Sequence, residues 1–143
     1  MIVPFSSLLP YEKAKGKIIL LSNFTSTSED KNISLKFSKR NEPSKYKDKS
    51  LFSVIYYITN YWKVGLIPNG INIQKLAKYK KEKEILFQPF SFYKVKDIKI
   101  DIAKFTADIY LETIGKKEIF EIGIKEGKNI FYDEKNDLIQ FEN

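Results

Sequence analysis

The chain has 143 residues, 25 of them basic and 18 acidic for a net charge of +7, and contains neither cysteine nor histidine. That length suits one domain burying about two-thirds of its unfolded surface, and the composition excludes disulfides, thiolate and imidazole metal sites and histidine-based triads. Chemistry is left to carboxylates, hydroxyls, lysines and aromatics, and because Arg40 is the only arginine, the dispersed lysines read as surface solvation and weigh against a nucleic-acid partner, which arginine's planar fork would serve better.

Taken in order, Met1 to Tyr11 has no basic start and is interrupted by Pro4 and Pro10, which makes a poor signal peptide. No stretch reaches the ~18 apolar residues of a membrane span, so the chain is expected to be soluble, without a membrane partner and with its compartment undetermined. Lys17 to Ser22 reads as a buried strand that runs on into the hydroxyl-rich Phe24-Thr25-Ser26-Thr27-Ser28. Thr27, followed three residues later by Asp30, approximates a capping box before a short helix over 32–39 with Ile33, Leu35 and Phe37 inward. Asn41 to Ser50 is a polar loop and Leu51 to Ile58 a strongly apolar strand. Tyr57, Tyr61 and Trp62 continue an aromatic content of 15%, which serves either a β-rich core or a stacking platform for single-stranded nucleic acid. Pro68-Asn69-Gly70 is a turn, and Ile71 to Ala77 leads on as a half-turn of helix or an irregular approach.

The most informative stretch is Tyr79 to Val95, a charged tip feeding an apolar, aromatic strand that bends at Gln88-Pro89 and resumes at Phe92. Glu82 and Glu84 stand at its entrance, two residues apart. With strand periodicity both carboxylates share one face and Lys83 takes the other. Paired carboxylates in one cleft can divide general-base work and cation stabilisation between them; Lys-Lys-Glu-Lys-Glu is equally the composition of a solvated loop. Beyond it, Lys96 to Lys104 reads as a polar connector or short strand. Ala107–Ile114 and Glu118–Ile124, joined at Gly115-Lys116-Lys117, read as one hairpin, and Asn129–Tyr132 with Leu138–Phe141 as another. Strands outnumber helices by about four to one, which predicts a single α+β, mainly β domain over 1–143.

The combination of a strand ending in Phe-Thr-Ser-Thr-Ser with a later Tyr-x-x-Glu-x-Glu and then Ile-Leu-Phe-x-Pro-Phe-Ser-Phe-Tyr-x-Val resembles the arginine-directed mono-ADP-ribosyltransferases, both vertebrate-type enzymes and bacterial toxin domains. The resemblance covers residues 17 to 124. It implies two roughly perpendicular antiparallel sheets with NAD, the cosubstrate, in the cleft between them. It further implies that Ser26, Thr27 and Ser28 correspond to the family's Ser-Thr-Ser and Glu82 and Glu84 to its Glu-x-Glu, with Tyr79 as the aromatic of the loop that recognises the protein substrate. In that family Glu84 would hold the ribose 2′-hydroxyl and stabilise an oxocarbenium-like transition state akin to that of glycosidases. Glu82 would activate a target arginine, and Ser26 would hold Glu84 in place beside the nicotinamide ribose. The family's third landmark, an upstream arginine on an early strand that grips NAD phosphate, has no counterpart before Ser26, where Lys13, Lys15 and Lys17 are the cations. The chain is therefore expected to match the C-terminal portion of the usual catalytic domain. Two other functions stay open: a half-domain without catalysis, working as a structural or interaction subunit completed by a second chain, and a basic β-domain that binds RNA or single-stranded DNA.

Overall fold

The computed structural model describes residues 1–23, 25–40, 42, 47–60, 70–76, 78–135 and 138–143. Its elements are β1 (Ile2–Pro4), α1 (Leu9–Lys13), β2 (Ile18–Leu21), β3 (Thr25–Ser28), α2 (Lys31–Phe37), β4 (Leu51–Thr59), β5 (Gly70–Asn72), β6 (Glu84–Phe87), β7 (Ser91–Asp101), β8 (Thr106–Ile114), α3 (Lys116–Glu126), β9 (Asn129–Asp133) and β10 (Leu138–Glu142). They form a seven-stranded sheet ordered β1-β4-β8-β7-β2-β10-β9 and a three-stranded sheet ordered β3-β6-β5. The expected α+β architecture of two sheets with few short helices is what forms. Pairing is antiparallel except between β4 and β8, which run parallel. Tyr61, Trp62, Pro68 and Asn69 lie outside the described residues.

Period-two alternation sorts the large sheet's apolar residues onto two faces. Ile19, Val54, Tyr93, Val95, Ile109, Leu111 and Leu138 join one core with Leu8, Ala14 and Phe87 of the small sheet. Their neighbours Ile18, Ile114 and Ile139 point the other way and are sealed by Ile119 of α3. The hairpin of β9 with β10 is as expected, but the segment expected as a strand over Glu118–Ile124 is helical. Ile119, Ile122 and Gly123 make an i, i+3, i+4 stripe against the sheet. Gly127, at φ 62, closes the helix with its N–H directed at the carbonyls of Gly123 and Ile124. Of the two readings of Lys96 to Lys104, connector or short strand, the strand is what forms: β7 runs on to Asp101, with an irregularity between Val95 and Asp97 that shifts its register against β8.

One feature of the topology positions the site. β2 pairs with β7 in the large sheet, Leu21 opposite Ser91; β3 pairs with β6 in the small sheet, Thr25 opposite Phe87. Each step advances four residues on one strand and retreats four on the other, so the two pairs are a single antiparallel ribbon that turns from one sheet into the other without slipping register. The turn falls at Gln88-Pro89-Phe90, where Phe90 takes a left-handed φ of 58 and the Ser91 hydroxyl donates to the Gln88 carbonyl at 2.6 Å. The expected bend is thus a passage between sheets.

Candidate active site

On the ribbon, Ser28 sits opposite Glu84 and Ser26 opposite Leu86. Alternation sends Ser26, Ser28 and Glu84 to one face, while Ile85 and Phe87 turn into the core. The Ser26 hydroxyl donates to Glu84 Oε1 across this diagonal. Thr27 Oγ1 donates to the Ile85 carbonyl at 2.9 Å, and Ser28 Oγ to the Glu82 carbonyl at 2.5 Å. The three hydroxyls therefore hold, in turn, a carboxylate, the strand that carries it and the turn that precedes it. Thr27 belongs to β3 and caps nothing; the N-cap of α2 is Asp30, whose side chain accepts from the Asn32 N–H at 2.9 Å.

Glu82 and Glu84 do share a cavity, for a reason other than strand alternation. Lys80 to Glu82 form a 3₁₀ turn, Lys83 closes it in the left-handed region at φ 46 and ψ 50, and β6 begins only at Glu84. The turn is clamped from both sides: Glu29 N–H donates to the Lys83 carbonyl at 3.2 Å and Ile73 N–H to the Glu84 carbonyl at 3.1 Å. The approach to it, expected as a half-turn of helix or irregular, is the strand β5 followed by a turn.

The cavity has a volume of about 470 Å³ and is lined by Ser26, Thr27, Ser28, Glu82 and Glu84 on one side, with α2 and β4 opposite. Tyr79 is not among its lining residues and is 60% exposed on the outer surface. Sequence reading missed the opposite wall: Ser34 and Phe37 of α2, and Val54, Ile55 and Tyr56 of β4. Phe37 was expected to point into the core; it is 65% exposed and lines the cavity's edge. The signal available was the helix itself, which follows Ser28 so closely that its inner stripe must face whatever the hydroxyls face. From that wall, the Tyr56 hydroxyl shares a hydrogen bond of 2.7 Å with the Tyr11 hydroxyl. Burial first, and then the neighbouring Tyr11, push the Tyr56 hydroxyl well above the ordinary tyrosine range, so it stays protonated at physiological pH.

Two half-buried carboxylates in one cavity, Glu84 tied to a serine hydroxyl and Glu82 beside it, can stabilise a developing cation and take a proton from a protonated nucleophile. Among the described residues no group of acidic side chains is arranged to hold a metal ion, and no lysine or arginine lines this cavity. The sole arginine is engaged elsewhere: Arg40 Nη1 pairs with Asp108 Oδ1 at 2.8 Å, and Nη2 donates to the carbonyls of Ser53 and Ala107 at 3.3 and 3.0 Å, binding the segment after α2 to β4 and β8. No helix among the described residues is long and apolar enough to cross a membrane.

No protein-family profile and no curated protein matches the chain. Solved structures do share its fold. ADP-ribosyltransferase Vis in complex with the M6 inhibitor aligns with a TM-score of 0.57 at 24% identity, over 81% of this chain and 46% of that one. The Vis complex with agmatine gives 0.56 at 21% identity, over 82% and 47%, and Vis toxin from Vibrio splendidus 0.54 at 23%, over 82% and 46%. This chain spans about half the length of those proteins, and it has the fold of an ADP-ribosyltransferase.

Proposed function

We propose that the chain is a mono-ADP-ribosyltransferase that uses NAD as donor and a protein arginine as acceptor. The observation that carries this reading is the hydrogen bond from Ser26 to Glu84 inside a cleft shared with Glu82, on a fold like that of a transferase solved with agmatine. Agmatine ends in a guanidinium, as arginine does.

Cleaving the bond between nicotinamide and ribose leaves positive charge on the anomeric carbon, and the neutral nicotinamide departs with the bonding electrons. Glu84, held by Ser26, supplies the fixed negative charge beside that carbon and accepts from the ribose 2′-hydroxyl. Glu82, which lines the same cleft, accepts a proton from the guanidinium so that its nitrogen can form the new bond to the anomeric carbon. Ser26, Thr27 and Ser28 line the nicotinamide-ribose side, and Tyr79 faces the protein substrate. Since no described lysine or arginine lines the cavity, the NAD pyrophosphate is held without a bidentate partner, and weak affinity for free NAD is expected.

The test is NAD titration by calorimetry on the wild-type chain, combined with nicotinamide release in the presence and absence of agmatine. Release that disappears in Glu84→Gln, with agmatine modification that disappears in Glu82→Gln while some NAD hydrolysis survives, is the expected result. No binding of NAD up to millimolar concentration would sink the reading for this chain alone, and equal loss of both activities in Glu82→Gln would sink the division of labour.

A further inference from the structure

The tip of the small sheet sorts its charges by direction. Between Asn72 and Glu84, both carboxylates, Glu82 and Glu84, face the cleft. Lys75, Lys78, Lys80, Lys81 and Lys83 are all exposed on the outside. What sets the tip apart is density: these five fall within nine residues, and among the described residues no carboxylate pairs with any of them, whereas Lys15, Lys96, Lys104, Lys117 and Lys128 each have one. Lys78 alone meets a ring, lying over that of Tyr79 at 5.5 Å from its centroid. Five like charges within nine residues of chain repel one another. Among these lysines stands apolar surface: Leu76 is 88% exposed at the tip of a turn closed by its N–H to the Ile73 carbonyl at 2.8 Å, and Tyr79, three residues on, is 60% exposed.

We infer that this apron is a docking surface for an acidic protein surface, and that the arginine presented to the cleft is one ringed by aspartate and glutamate. This rests on the proposed transferase activity. Charge complementarity selects the partner: the five cations are exposed on the stretch that carries the two cleft carboxylates, so carboxylates flanking the target would be drawn to them, while Leu76 and Tyr79 supply the desolvated anchor that makes such an encounter last. A nucleic acid fits less well. The lysines lack the fork that grips phosphate, an exposed leucine gains nothing from a sugar-phosphate backbone, and the carboxylates lining the cleft repel it.

The experiment measures fluorescence anisotropy of short labelled peptides with a central arginine flanked by acidic, neutral or lysine residues, and of a single-stranded oligonucleotide, at low and high salt on the full chain. The acidic peptide is expected to bind about tenfold tighter than the neutral one at low salt, with the margin shrinking as salt screens the surface. Lys75→Glu/Lys78→Glu/Lys81→Glu should reverse the order between acidic and lysine-flanked peptides. Should that variant not fold, Lys78→Ala and the salt series on the wild type carry the same test through a reduced margin. Equal affinity for the three peptides, or tighter binding of the oligonucleotide, overturns the inference. Because binding needs no turnover, a chain that fails to modify agmatine still tests the apron through its peptide preference. A chain that modifies agmatine without preferring acidic peptides loses this inference and keeps the activity.

Discussion

The two sheets are built on opposite terms. In the seven-stranded sheet Val54, Tyr93, Val95, Ile109 and Leu111 are almost wholly buried, and their removal from water accounts for most of what keeps the chain folded. In the three-stranded sheet only Phe87 and Gly70 are buried. Its strands of three or four residues are tied by serine and threonine hydroxyls, backbone clamps and one left-handed lysine. The candidate chemistry sits on the weaker sheet, at the end of a ribbon anchored in the stronger one. Stability and activity should therefore respond to different substitutions.

The sharpest break comes from the large sheet. Ile109→Ala empties a fully buried position and is expected to cost about 2–5 kcal/mol, read as a fall in the denaturant midpoint; intact stability would mean that the core lies elsewhere. Next in size, Glu84→Gln on the small sheet should lower nicotinamide release by about a hundred- to a thousandfold while leaving the melting temperature nearly unchanged. A large drop in melting temperature would show the two sheets to be one energetic unit.

Lys83 sharpens the contrast further, because its φ of 46 is tolerated by glycine and resisted by β-branched residues. Lys83→Val should destabilise by about 1–2 kcal/mol and slow transfer by disturbing the turn that brings Glu82 beside Glu84, while Lys83→Gly keeps the geometry. Equal behaviour of the two variants would remove backbone conformation as the cause. The smallest effect, a loss of stability confined to alkaline pH, belongs to the core again. Burial pushes the Tyr93 hydroxyl from its ordinary 10.0 up to about 12, against an opposing pull from Ser91. The native state thus holds a proton that the unfolded chain releases first, so this contribution is complete below pH 10.0 and is lost as pH rises towards about 12. Tyr93→Phe should flatten that part of the stability profile.

Much of this was legible from local pattern. The strands at β2, β4 and β8 and the hairpin of β9 with β10 announce themselves by apolar runs, alternation and turn residues. The segment after Gly115 misled because Ile119, Ile122 and Ile124 suit alternation as well as a helical stripe. What decides it is the pair of flanking glycines and the sheet face that only a helix could cover, at the cost of leaving Phe120 and Ile124 exposed. Past Val95, β7 read as either a connector or a short strand because its irregularity breaks the alternation that identifies a strand. The carboxylate pair was visible as residue types at a spacing, and its sharing of one cavity was expected on the wrong grounds: a turn at Lys83 brings the two together.

Composition by itself determined that cysteine and histidine chemistry is closed to these 143 residues, and local alternation determined most of the strands, because both depend only on residue identity and nearest neighbours. Tertiary structure decided what those residues meet. An unbroken register across the corner between sheets lays Ser26 against Glu84, the turn at Lys83 sends the acids inward and the lysines outward, and α2 and β4 supply the far wall of the cleft. A period of two states that successive side chains face opposite ways; which way is buried, and against what, depends on residues far away in the chain that pack there.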